Sequence, residues 1–143
     1  MDTITAARRF VRVWERAWAA HDVEAILELY SDACVHRSMP FREPHRGRDE
    51  LAAYLRWSFA SETTTDVRFS DPLVGQDGRA VAEFRVLAQE DGRPTTLAGC
   101  VLVRFDAAGL AVETRDYWHS TPGSVPALPW PTGLGPDAAE RGM

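Results

Sequence analysis

The fold is decided by residues 80–118, AVAEFRVLAQEDGRPTTLAGCVLVRFDAAGLAVETRDYW. Much of this stretch is apolar at every second position, the period of a β-strand with one buried face. Asp91-Gly92 and Gly109 interrupt the pattern, and Asp-Gly tolerates the positive φ angles of tight hairpins. The stretch therefore predicts three consecutive antiparallel strands. They are expected over residues 80–89, 95–106 and 110–118.

The residues before this meander have the period of helices. Ile4, Ala7, Val11, Trp14 and Trp18 form one apolar stripe at helical spacing, which predicts a first helix. Two aspartates are good N-caps for further helices, because a carboxylate accepts the free amide protons of a first turn. The predicted elements are a helix over 5–20, a short helix after Asp22, a strand over 34–39, an irregular loop over 40–47, a helix capped by Asp49, a polar connection over 61–65 and a strand over 66–72.

Helices segregated from a strand meander predict an α+β domain, with a cone-shaped curved antiparallel sheet wrapped around three N-terminal helices. We expect this domain to occupy residues 1–120, followed by a Pro- and Gly-rich tail over 121–143. Trp130 predicts order within that tail, since a disordered Trp would expose a large apolar surface.

Composition excludes several classes of protein. The 143 residues carry a net charge of −5, which argues against a nucleic-acid partner because phosphates require excess Lys and Arg. No apolar run approaches the roughly 20 residues of a membrane span, so no membrane partner is expected. Cys34 and Cys100 lack CxxC spacing, which favours a reduced, cytoplasmic protein. The four histidines lack HxxxH or HExxH spacing, so we expect no metal and no cofactor.

Four segments resemble, in order, the nuclear transport factor 2-like superfamily, and within it the SnoaL-like, polyketide cyclase-like domains. Each segment matches one structural landmark of those domains. They are Trp14–Ile26 (WERAWAAHDVEAI), Leu29–His36 (LYSDACVH), Gly47–Leu55 (GRDELAAYL) and Ala108–Trp118. The resemblance implies that a ligand binds in the cone, between the sheet and the helices. It does not fix the function, because members include enzymes and proteins that only bind or dimerise.

The resemblance to individual enzymes differs residue by residue. Ketosteroid isomerases place a general base on the first strand, where this chain has Arg37 or at best His36. Their oxyanion tyrosine corresponds to Trp14 and their protonated acid to Val101, so isomerase chemistry of that type is not expected. Polyketide cyclases use an aspartate on the last strand as acid and base, and Asp116 matches that position.

Asp116 and Arg37 are therefore the candidate catalytic residues. Alternation on the last strand points Thr114, Asp116 and Trp118 into the cone. The same reasoning, with Val35 taken as buried, points Arg37 inward. A buried guanidinium needs a partner, and Asp116 is the obvious one. Two interpretations stay open for each: Asp116 is catalytic or only structural and ligand-orienting, and Arg37 is a ligand anchor or half of a structural ion pair.

The candidate ligand-binding residues are mostly aromatic, and they could equally be ordinary core. They are Trp14, Trp18, His36, Tyr54, Phe84 and Trp118. An aromatic cone with a few polar groups suits a small, apolar, cyclic metabolite. Such a domain could be a cofactor-independent cyclase, isomerase or dehydratase that works by proton transfer.

The alternative is a non-catalytic dimerisation or protein-interaction domain of the same fold. Residues 95–106 are apolar on both faces, with Ala98, Cys100 and Leu102 on the side away from the helices. A sheet with one solvated face should instead alternate apolar and polar residues. This pattern predicts a homodimer through the outer face of the sheet.

Overall fold

The computed structural model describes residues 1–125. Its three helices lie in the first half of the chain. They are α1 (Thr3–Ala20), α2 (Val23–Leu27) and α3 (Gly47–Ala60). Asp2 caps α1 by accepting from the Thr5 amide at 2.8 Å, and Asp22 caps α2 by accepting from the Ala25 amide. Asp49 does not cap α3: the helix begins two residues earlier at Gly47, which has a φ of 80°, and Asp49 lies in its first turn.

Within residues 1–125, seven strands form one sheet in the order β2-β1-β7-β6-β5-β3, with β4 paired to β5. Their bounds are β1 (Tyr30–Ser38), β2 (His45–Arg46), β3 (Glu62–Phe69), β4 (Leu73–Val74), β5 (Arg79–Glu90), β6 (Arg93–Phe105) and β7 (Ala111–Pro122). The α+β cone is confirmed. The sheet is mixed, because β1 runs parallel to β7 while the remaining pairs are antiparallel.

Two predicted irregular segments contain strand residues. The polar stretch 61–65 was expected to be a connection, but β3 begins at Glu62 and pairs with β5. The loop over 40–47 contains the two-residue β2. Both strands lie at the ends of the sheet order, where polar side chains are tolerated because one flank faces solvent.

The core lies between α1 and the concave side of the sheet. The Phe10 ring contacts Trp14, Tyr30 and Phe105, with ring centroids 5.9–6.3 Å apart. Burying an aromatic side chain of this kind stabilises a fold by roughly 1.5–3 kcal/mol. This packing fixes α1 against the concave side of the sheet.

No helix among residues 1–125 is long and apolar enough to cross a bilayer. At the end of the described chain, the Val125 amide donates to Thr96 Oγ1 at 2.9 Å, so residues just after β7 lie against β6. The sequence predicts a tail that is ordered as far as Trp130, and that residue lies outside the described part of the chain.

Candidate functional site

A cavity of about 290 Å³ opens on the concave side of the sheet. It is bounded by α1, α3 and the ends of several strands, which bring together side chains distant in sequence. Its walls include Trp18, Tyr54, Glu62, Phe84, Asp116 and Trp118. The volume is close to the lower end of the range for small-molecule pockets.

Asp116 supplies a carboxyl group to the wall of this cavity. Its side chain is only 21% exposed, and Oδ2 lies 3.6 Å from His36 Nε2. Burial raises the pKa of Asp116 from 3.8 to about 7, because an ionised carboxylate loses hydration there. The group can therefore be either protonated or ionised near neutral pH.

His36 lies behind Asp116 and is 1% exposed. Burial lowers the pKa of His36 to about 3, with a smaller contribution from nearby His45. A neutral imidazole has one N–H donor and one acceptor nitrogen. His36 is therefore uncharged where it lies beside Asp116 and acts on the carboxyl only through its dipole. It was predicted to bind ligand, but it is not among the residues that line the cavity.

A chain of polar contacts holds His36 in this orientation. Its Nδ1 lies 2.7 Å from Thr114 Oγ1, which in turn lies 3.3 Å from the Tyr30 hydroxyl. Thr114 is fully buried and Tyr30 is 2% exposed, so the chain ends inside the core. Burial also raises the pKa of Tyr30. These contacts orient the imidazole and offer no direct path for protons to solvent.

Arg37 does not meet Asp116, and the predicted ion pair between them is wrong. The inward positions of β1 are Cys34, His36 and Ser38, each at most 1% exposed. Because neighbouring strand residues face opposite ways, Arg37 points away from the cone. Its Nη1 donates to the Arg42 carbonyl at 2.7 Å.

Ser38 joins two aromatic walls of the cavity. Tyr54 donates to Ser38 Oγ at 2.9 Å, and Trp118 Nε1 donates to the same oxygen at 3.4 Å. The Arg42 guanidinium lies over the Trp118 ring, 5.7 Å from its centroid. Sequence reasoning missed Ser38, because apolar Val35 suggested the opposite face of β1.

Gly99 permits the close approach of Trp118. These residues are opposite each other on β6 and β7. A Cβ atom at Gly99 would lie 2.6 Å from the Trp118 Cα and 2.1 Å from the Tyr117 carbonyl oxygen. Any larger residue would therefore displace β7 beside Asp116.

Glu62 lies in the cavity wall contributed by β3. Its Oε2 accepts from Trp18 Nε1 at 2.9 Å and from the Thr64 hydroxyl. His21 Nε2 lies 3.7 Å from the same oxygen. Sequence reasoning missed Glu62, because 61–65 looked like a loop; Thr63, Thr64 and Thr65 were the available sign of a strand.

The remaining predicted aromatic residues are divided between cavity and core. Trp18, Tyr54, Phe84 and Trp118 line the cavity. Trp14 instead borders an inner space of about 20 Å³, too small for a ligand, which Asp116 also borders. The Trp14 N–H is near the Tyr30 hydroxyl but does not reach hydrogen-bond geometry with any described residue.

The outer side of the sheet carries a separate, open groove of about 580 Å³. Its lining includes Leu73, Cys100 and Tyr117, and Leu102 is exposed nearby. This groove is larger than the cavity on the concave side, yet it lacks the buried polar chain found beside Asp116. Its shape suits contact with a surface better than enclosure of a small molecule.

Comparisons with solved structures show the same fold. A protein from Mycobacterium tuberculosis, RV0760c, superposes with a TM-score of 0.72 at 20% identity, covering 82% of this chain and 96% of that one. A computationally designed binder of 17-OHP gives 0.71 at 21% identity, with 82% and 98% covered. A Bacillus subtilis protein provisionally named an isomerase gives 0.75 at 17% identity, with 83% and 90% covered.

The family itself is shown by sequence. The model of the SnoaL-like domain matches residues 7–114, which is most of the chain. That range contains most of α1, all of α2 and α3, and the strands up to the first residues of β7. The chain therefore belongs to the SnoaL-like domain family of the nuclear transport factor 2-like superfamily.

Proposed function

We propose that this protein binds a small, largely apolar, cyclic molecule in the cavity on the concave side of the sheet. One observation carries the proposal: Asp116, which lies beside His36, borders the same cavity as the aromatic rings of Trp18, Tyr54 and Trp118. The wall combines these aromatic rings with polar side chains, among them Ser38, Ser58 and Arg42, and small-molecule sites pair both kinds of group.

We further propose that Asp116 transfers a proton to or from the bound molecule. A catalytic acid or base works best when its pKa is near the working pH, and burial raises the pKa of Asp116 to about 7. When protonated, the carboxyl donates to a ligand oxygen; when ionised, it removes a proton from carbon beside a carbonyl. Isomerisation, cyclisation and dehydration each use such steps. His36 orients the carboxyl and is a positioning residue.

The binding claim is tested with 1-tetralone, a two-ring ketone, by titration of tryptophan fluorescence. Trp18, Trp57 and Trp118 border the cavity, so bound ketone should quench their emission. Ser58→Phe would place a ring in the cavity from α3 and should weaken binding at least tenfold. Ala53→Phe, on an exposed position of the same helix, is the matched control.

Failure of wild-type protein to bind the ketone, or equal binding by Ser58→Phe and Ala53→Phe, would contradict the proposed site. Native mass spectrometry of the purified protein adds an independent reading. A co-purifying small molecule that Ser58→Phe excludes would identify the natural ligand class.

A second function is supported by the outer face of the sheet. Leu73, Leu102 and Tyr117 are 39–51% exposed there, around the outer groove. Exposed apolar residues grouped on one face mark interaction surfaces. We propose that a second copy of the chain covers this face, as the apolar pattern of β6 predicts.

A further inference from the structure

The cavity has two further carboxylates besides Asp116, Glu62 and Glu90, on the side away from Asp116. Glu62 is on β3 and Asp116 on β7, and β5 and β6 lie between them in the sheet. Three strand spacings amount to about 14 Å along the sheet, and its curvature shortens the direct path. Asp116, Glu62 and the more exposed Glu90 border the same cavity, so a ligand filling it would meet Asp116 at one end and Glu62 at the other.

Glu62 is held rigidly and has one oxygen left for a ligand. Its side chain is 7% exposed, and the Trp18 and Thr64 hydrogen bonds both end on Oε2. Oε1 has no hydrogen-bond partner among residues 1–125. A fixed acceptor with a free oxygen can recognise a donor without first being ordered, which lowers the entropy cost of binding.

The strand pairing does not favour a carboxylate at this position. Glu62 is directly opposite Glu90 on β5, and like charges in opposed strand positions destabilise a sheet. No Arg nitrogen lies within 4.0 Å of either carboxylate among the described residues, although His21 Nε2 is 3.7 Å from Glu62 Oε2 and Arg93 is opposite Glu90 at the hairpin. A glutamine would accept from Trp18 and Thr64 equally well. Apart from His21, the described residues give the Glu62 charge no cationic partner, and a ligand that donates to Oε1 would supply a further partner.

We propose that Glu62 Oε1 accepts a hydrogen bond from the ligand, so that the site selects a cyclic molecule with a hydroxyl at one end and a carbonyl at the other. This inference rests on the proposed function and adds which substituents the ligand must carry. The carbonyl lies at the Asp116 end, where the protonated carboxyl donates to it. The hydroxyl lies at the Glu62 end, and the rings lie between Trp18, Tyr54 and Trp118.

The test compares 1-tetralone with 6-hydroxy-1-tetralone, which carries a hydroxyl at the far end from its carbonyl. Dissociation constants are measured at pH 6 by tryptophan fluorescence. In wild-type protein the hydroxyl should strengthen binding about tenfold, the scale of a hydrogen bond to a charged group. In Glu62→Gln the gain should fall to about threefold or less, because the acceptor loses its charge. Glu28→Gln, which removes the same charge at an exposed position outside the cavity, should keep the full gain.

A third probe needs no variant. In 6-methoxy-1-tetralone the oxygen remains but cannot donate, so this probe should bind wild-type protein about tenfold more weakly than the hydroxy compound. If the methoxy and hydroxy compounds bind equally, the role of Glu62 is overturned. An equal hydroxyl gain in wild type and Glu62→Gln would overturn it as well.

The outcomes separate this inference from the proposed function. Binding of 1-tetralone with no gain from the hydroxyl would remove only the role of Glu62. Absence of binding by all three ketones would remove the cavity as the ligand site, and the role of Glu62 with it.

Discussion

His36 Nε2 lies 3.6 Å from Oδ2 of Asp116, inside the cone. Burial acts on the two groups in opposite directions, lowering the pKa of His36 to about 3 and raising that of Asp116 to about 7. Between these values the pair is predominantly neutral, because neither charge is well solvated. Asp116 consequently changes its protonation state in the pH range where most enzymes work.

The pair predicts a specific pH dependence of stability. In the folded protein Asp116 stays protonated up to about pH 7, whereas its pKa in the unfolded chain is 3.8. Its contribution to the free energy of unfolding is therefore present at low pH and is lost as the pH rises towards 7. His36 has the opposite effect. In the unfolded chain the imidazole is protonated below a pKa of 6.5, whereas in the folded protein its pKa is about 3, so stability is lost as the pH falls. In wild type the two contributions offset each other between about pH 4 and 6.5.

Asp116→Asn removes the contribution of Asp116 and leaves that of His36. The variant should lose stability relative to wild type as pH falls from 6.5 to 4, by about 1 kcal/mol per pH unit. Urea unfolding of both proteins across this range measures the difference. Stability curves that stay parallel over these pH values would show that Asp116 does not titrate abnormally.

Thr114→Val should destabilise the protein by about 2–3 kcal/mol. Valine has nearly the same shape but leaves His36 Nδ1 and the Tyr30 hydroxyl without their shared partner, and each buried unsatisfied group costs about 1–3 kcal/mol. Thr114→Ser keeps the hydroxyl and should cost clearly less. Chemical denaturation distinguishes the two; equal losses would mean that packing of the methyl group, and not the hydroxyl, matters.

Arg37→Met should leave the behaviour of Asp116 unchanged. Its guanidinium donates to the Arg42 carbonyl, outside the cone. In a double-mutant cycle with Asp116→Asn, measured by unfolding free energies, the effects should add within about 0.5 kcal/mol. A larger coupling energy would restore the ion pair that the sequence suggested.

Leu102→Glu should convert a dimer to a monomer. Leu102 is 39% exposed on the outer sheet face, and a carboxylate there would face its own symmetry copy or apolar neighbours in an isologous contact. Sedimentation at tens of micromolar gives the mass. Phe41→Glu, at a fully exposed loop position, is the control and should stay dimeric. A wild-type monomer of 15.9 kDa would end the proposal.

The last strand was predictable from sequence, and the first strand was not. On β7 the alternation is regular, so Thr114, Asp116 and Trp118 could be placed on the concave side from their spacing alone. On β1 the apolar Val35 suggested the wrong face. The inward residues there include His36 and Ser38, which are buried because Asp116, Tyr54 and Trp118 supply polar partners. A site that needs polar side chains in the interior departs from the rule that the apolar residues of a strand face the core.

Glu62 illustrates a second limit of sequence reasoning. Its surroundings are polar, and an edge strand of this kind has the composition of a loop. Only the pairing of β3 with β5 brings Glu62 to the cavity, and that contact joins residues 28 positions apart, Glu62 and Glu90. Local periodicity carries no information about such pairing, whereas the hairpins of the meander are signalled by adjacent turns.

The most direct test of the account is deuterium incorporation into 1-tetralone, followed by NMR in D₂O with wild-type protein and Asp116→Asn. Ionised Asp116 should remove a proton from the carbon beside the carbonyl, and the resulting enolate should take back a deuteron. We predict exchange above the buffer rate for wild type, increasing with pH through about 7, and exchange at the buffer rate for Asp116→Asn. Equal exchange by the two proteins, with the ketone bound to both, would contradict proton transfer by Asp116.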